Sequence, residues 1–114
     1  MNALKNRVQL IGNLGMNPEV RTTESGKKMA KMSIATNESY KAANGEWVKE
    51  TQWHNLVAWG KVAETVEKKM QKGLEVMVEG KLVHREYTDR TGVKRFISEV
   101  QVMDMLLFEK NKNA

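Results

Sequence analysis

The chain has 114 residues, 40% of them apolar and 29% charged, which suits one globular domain with a single core and excludes a disordered tail. It has no cysteine, which excludes disulfides, thiolate metal sites and a cysteine nucleophile. The net charge of +5 favours polyanionic partners, and the lack of a long apolar run or signal-like N-terminus makes a cytoplasmic protein, without membrane contact, the expectation.

Taken in order, Arg7 to Leu14 alternates loosely and predicts a first strand. Gly12 and Gly15 frame Asn13-Leu14 and suggest a bulge or sharp bend, and Asn17-Pro18 signals a turn. Glu19 to Thr22 reads as a short continuation after that bend. A turn at Ser25-Gly26-Lys27-Lys28 precedes Met29 to Asn37, whose clean alternation predicts a second strand. Glu38 to Glu50 is polar, carries Asn44-Gly45, and is expected to be a long hairpin connection.

The stretch Glu50 to Lys61, E-T-Q-W-H-N-L-V-A-W-G-K, predicts a central strand ended by Gly60. Side chains two apart share a face of a strand. One face shows Thr51, Trp53, Asn55, Val57 and Trp59, and the other shows Gln52, His54, Leu56 and Ala58. The second suits a core. The first sets two indoles six residues apart, ~20 Å at ~3.3 Å per residue, with polar Asn55 between them, which suits a stacking platform. A single Trp on a strand is more often core; two on one face, flanked by Lys49 and Lys61, reverse that preference. Trp47 falls outside this pairing; packing over the base of the hairpin is one reading of it, and its role stays open.

Lys61 to Lys72 predicts the one helix, with Val62, Ala63, Val66 and Met70 at helical spacing and Gly73 as its C-terminal cap. Leu74 to Tyr87 predicts a long strand, Asp89-Arg90-Thr91-Gly92 a hairpin turn, and Val93 to Met103 the last strand. Three strands, one helix and two strands is the order of an all-β, five-stranded OB-fold, a Greek-key barrel with its helix between strands 3 and 4. Glycines in the first and fourth strands suit the bending that small barrels require. The domain is expected over residues 1–108, followed by a short polar end over 109–114.

Six segments carry a family resemblance: N-R-V-Q-L-I-G-N-L-G-M-N-P-E-V-R from Asn6, A-T-N-E-S-Y from Ala35, T-Q-W-H from Thr51, W-G-K-V-A-E from Trp59, K-G-L-E-V-M-V-E-G-K-L from Lys72, and R-E-Y-T-D-R-T-G from Arg85. Together they resemble bacterial single-stranded DNA-binding protein, over roughly residues 5 to 107. The resemblance implies sequence-independent binding that protects single-stranded DNA in replication, recombination and repair, by subunits that usually form a homotetramer. It places the stacking rings at Tyr40, Trp53, Trp59 and Tyr87, and His54 near a subunit contact. Tyr40 and Tyr87 stand where the family often has Trp, and Trp59 where Phe is usual. Family members usually continue through a flexible linker to an acidic tip that recruits replication and repair proteins. Here Glu109 to Ala114 is basic and lacks that tip, which fits either a short paralogue or a truncated form and leaves partnership with replication and repair proteins open.

Binding a single strand needs cations along the phosphates and flat rings for the bases. The candidate phosphate contacts are Arg7, Arg21, Lys31, Lys49, Lys61, Lys72, Lys81, Arg85 and Arg95. Lys68, Lys69 and Lys72 serve equally well as a solvated helix end, and the methionines (Met29, Met32, Met70, Met77, Met103 and Met105) fit core or subunit packing better than a ligand surface. His54 and His84 are isolated imidazoles, so no metal and no other cofactor is expected, and His54 suits a hydrogen-bonded packing role. No phosphate-cradling loop, catalytic triad or carboxylate pair stands out, so no enzymatic activity is expected. Two rivals stay open: a paralogue acting through protein contacts, and an OB-fold reader of RNA.

Overall fold

A computed structural model describes residues 3–108. After a short 3-10 turn (Ala3–Lys5), the chain forms β1 (Val8–Leu14), β2 (Glu19–Thr22), β3 (Lys28–Lys41), β4 (Trp47–Trp59), α1 (Gly60–Lys69), β5 (Glu75–Thr88) and β6 (Lys94–Leu107). The strands follow the order β1-β5-β6-β4-β3-β2, and β1 also pairs with β3 through Asn13↔Ala35 and Leu14↔Ile34. That second pairing closes the sheet into the expected OB barrel, in which β1 and β2 are the two halves of its bent first strand.

Period-2 alternation decides what goes inside. Leu14, Ala30, Met32, Ile34, Leu56, Ala58, Val76, Val78, Val100 and Val102 point inward and are buried. Ala63, Val66 and Met70 of the helix segment close the same core. Each fully buried Leu, Ile or Val contributes about 1.5–3 kcal/mol against exposure. Closure brings backbones into contact at two glycines: a Cβ at Gly12 would collide with the Ala35 carbonyl, and one at Gly80 with that of Gln101. Gly80 also sits at a bulge, where Met103 is the extra residue of β6.

Several boundaries differ from expectation. The connection taken to span Glu38 to Glu50 is only residues 42–46, because β3 and β4 continue as a two-stranded ribbon beyond the barrel. That ribbon is wet on both faces, so no apolar period marks it. Trp47 therefore begins β4 instead of packing over the hairpin base, and its odd number puts it on the face of Trp53 and Trp59. The helix ends at Lys69, where the extended Met70 donates its N–H to the Val66 carbonyl and drops its side chain into the core. Gly73 belongs to the following turn, donating its N–H to the Leu14 carbonyl at 2.8 Å, and does not cap the helix. The last strand runs four residues past Met103, since the bulge lets it resume pairing along β5. The expected polar end, residues 109–114, lies outside the described residues.

Candidate nucleic-acid interface

Directly opposed residues in a ladder share a face, so the registers can be read as rows across the sheet. Arg21, Met29 and Trp59 form one row across β2, β3 and β4. Glu19, Lys31, Val57, Gln101 and Lys81 form the next, across five strands. Ser33, Asn55, Glu99 and Val83 follow, and Trp53 stands opposite Ala35 beyond them. On the β5–β6 arm, Arg85 opposes Ile97 and Tyr87 opposes Arg95 on this same outer face.

The face is concave. An open groove of about 450 Å³ is lined by Met29, Lys31, Val57, Trp59, Val83, Arg85, Glu99 and Gln101. A second hollow, of about 220 Å³, shares Lys31, Arg85 and Glu99 and extends to Ser33 and Asn55, beside Trp53. The two hollows, together the track, meet at Lys31, Arg85 and Glu99; Trp59 lines the first, and Trp53 lies on the same face one strand step beyond Asn55 of the second.

The rings are held differently. Trp53 is 63% exposed, yet its six-membered ring lies against Gly15. Any Cβ at Gly15 would occupy the space of that ring. One edge is thus seated and the rest is free, as a stacking surface requires. Trp59 is half-buried at the β4–α1 corner, and the Lys27 ammonium stands 5.5 Å from its ring centroid. Tyr87 is exposed on the β5–β6 arm. Tyr40 is exposed too, but it opposes Val48 on the other face of the β3–β4 ribbon and is not brought together with the other three rings.

The cations divide into two groups. Arg85 donates from Nε to Glu99 Oε1 at 2.8 Å and from a terminal nitrogen to Oε2 at 3.3 Å, which pushes the guanidinium pKa above its ordinary value. Glu99 is only 6% exposed, so this fork supplies the charge partner that a buried carboxylate demands. Arg95 is held by Asp89 at 2.9 Å, and Arg7 by Glu79. Among the described residues, Arg21, Lys31, Lys49, Lys61, Lys72 and Lys81 are in no ion pair. Arg21, Lys31 and Lys81 border the track directly, Lys61 is on the first turn of α1 beside Trp59, Lys49 is on the ribbon, and Lys72 is in the turn after α1.

His54 is on the inner face, sharing a 3.0 Å hydrogen bond between its Nε2 and the Thr36 hydroxyl, which is the packing role the sequence suggested. His84 Nδ1 pairs with the Ser98 hydroxyl at 2.8 Å. Among the described residues no group of three or more His, Asp or Glu is arranged to hold a metal, and no helix is long and apolar enough to cross a membrane. Sequence reasoning missed Lys27, which reaches Trp59 only because Met29 pairs with Trp59. It also missed the placement of Trp47, whose odd number was the available signal.

Comparison with known proteins follows the same line. The model of the single-strand binding protein family matches residues 5–108. Over 101 residues the sequence is 41% identical to Single-stranded DNA-binding protein 1 of Chlorobaculum tepidum, covering 88% of this chain and 62% of that protein. The chain thus spans less than two thirds of that relative's length. The backbone is similar to a Plasmodium falciparum SSB solved in complex with ssDNA, with a TM-score of 0.86 and 28% identity, over 96% of this chain and 100% of that one. A bent first strand, a β3–β4 ribbon, a helix between β4 and β5, and an outward indole face are accounted for together: the chain belongs to the single-strand binding protein family.

Proposed function

We propose that this protein binds single-stranded DNA without sequence preference, as a non-enzymatic protector of exposed strands in replication, recombination and repair at a bacterial nucleoid. The observation that carries the reading is the outer face shared by Trp59, Trp53 and Tyr87, concave where Trp59, Lys31 and Arg85 line its groove and bordered by cations that form no ion pair among the described residues. Bases stack on Trp53, Trp59 and Tyr87. Arg21, Lys31, Lys61 and Lys81 follow the phosphates, with Lys49 and Lys72 farther out. Stacking in OB-folds of this same family is worth about 1–3 kcal/mol per base, and any base serves because each has a π-face. Arg85 and Arg95, already committed to carboxylates, contribute mainly by shaping the track.

Self-association fits a second surface. Ile11, Met77 and Leu106 form an apolar row across β1, β5 and β6, with Ile11 and Leu106 each about half exposed. Among the described residues, the edge of β1 opposite β5 is unpaired from Val8 to Gly12. Both features favour a homo-oligomer, a tetramer by analogy with the family, with His54 on an element near the contact.

The test is intrinsic tryptophan fluorescence during titration with oligo-dT, at low and high salt, with duplex DNA and matched RNA as controls. Saturable quenching by dT that weakens with salt is expected. A flat trace at micromolar protein would make the indoles structural and return the protein-contact reading to first place.

A further inference from the structure

Trp47 is 72% exposed, the most exposed of the three tryptophans. It lies six residues before Trp53, as Trp53 lies six before Trp59, so the three rings repeat at ~20 Å along the outer face of β4. A two-stranded ribbon twists strongly, so this face winds away from the barrel as a spiral strip continuous with the track.

The two faces of the ribbon differ in charge. On the Trp47 side, Asn37, Ser39 and Lys41 oppose Thr51, Lys49 and Trp47. It holds two lysines and no carboxylate, and among the described residues neither lysine is ion-paired. On the other side Glu38 opposes Glu50 directly, with Tyr40 and Val48 beyond them. Like charges placed opposite one another cost stability and repel a polyanion. A phosphate-bearing strand leaving Trp53 therefore meets lysines and an indole on one face and paired carboxylates on the other.

We propose that Trp47, with Lys41 and Lys49, forms an outer stacking subsite for single-stranded DNA, and that it, and not Tyr40, supplies the ribbon's ring. The proposal rests on the binding function inferred above. Its occupant is a nucleotide of the same strand that passes Trp53, because the subsite is a continuation of that face and carries the complementary charge.

The test is a Trp53→Phe/Trp59→Phe variant, which keeps both rings as stacking surfaces and leaves Trp47 as the sole tryptophan. Binding is followed separately, by anisotropy of a labelled oligo-dT of about 20 nucleotides, long enough to pass one OB-fold and reach the ribbon. Quenching of Trp47 in step with the anisotropy is expected. Trp47→Ala should weaken that oligomer's binding about tenfold, the equivalent of one lost stacked base, and Tyr40→Ala should weaken it less. Folding is not at stake, since neither ring is buried. Binding by anisotropy with Trp47 unquenched and Trp47→Ala at full affinity would overturn the subsite. Trp47 emission that tracks protein concentration but not DNA would overturn it in favour of a subunit contact. If the unsubstituted protein bound no oligo-dT, the failure would lie with the function itself.

Discussion

At the scale of single residues, the track depends on how its rings and charges are seated. Trp53 rests on Gly15, so Gly15→Ala should push the ring out of its place while leaving the core untouched. Reduced quenching by oligo-dT with an unchanged thermal midpoint would establish this, and an unchanged titration would refute it. Trp53→Ala removes the ring itself and should cost about 1–3 kcal/mol of binding with the fold intact, read by anisotropy and by circular dichroism. Arg85 behaves differently. Its removal strands the buried Glu99 carboxylate, so Arg85→Ala should cost about 1–3 kcal/mol of stability, and Glu99→Gln in the same chain should restore part of it. Loss of binding without loss of stability in Arg85→Ala would instead make it a direct phosphate contact.

At the scale of elements, the two projecting hairpins are held by different means. The β5–β6 turn is organised by Asp89, which accepts hydrogen bonds from the Thr91 hydroxyl, the Arg95 guanidinium and the Val93 and Thr91 amides, so that its pKa is lowered to about 2. A depressed carboxylate stabilises the fold above its unfolded value near 3.8 and loses that contribution as pH falls towards 2. The turn, and the Tyr87–Arg95 pair next to it, should therefore loosen between about pH 4 and pH 2. Asp89→Asn should flatten that dependence, as followed by amide exchange at the turn, and an unchanged acid transition would rule Asp89 out as its source. The β3–β4 ribbon rests on its own ladder, on side-chain bonds from Thr51 to Asn37 at 2.7 Å and from Gln52 to Glu50 at 3.2 Å, and on a turn in which Asn44 Oδ1 accepts a single amide, that of Glu46, at 3.0 Å. Its length escaped sequence reasoning for the same reason, since polar residues on both faces leave no period to detect.

At the scale of the molecule, the unpaired cations act as a set. Each phosphate contact on a single strand contributes about 0.7 to the slope of log affinity against log salt. Lys31→Ala and Lys61→Ala should each lower the slope by about that amount, whereas Arg95→Ala, whose charge is bound by Asp89, should change it less. Equal slopes for all three would mean that ion pairing does not decide which cations reach the DNA. Ile11→Glu places a charge in the apolar row of β1, β5 and β6 and should shift the protein to smaller species in sedimentation; an unchanged distribution would remove that row from the subunit contact.

Local sequence determined the element order, the two faces of β3, β4 and β5, the hairpin at Asp89 and the outward pair Trp53 and Trp59. These follow from periods of 2 and 3.6 and from turn chemistry, which neighbouring residues settle among themselves. Tertiary structure alone decided that Arg85 meets Glu99, that Lys27 reaches Trp59, that Gly15 seats Trp53, and that Arg7 is spent on Glu79. Such contacts depend on the register between strands distant in the chain, which barrel closure at Gly12 and the bulge at Gly80 set through long-range packing and which no local period records.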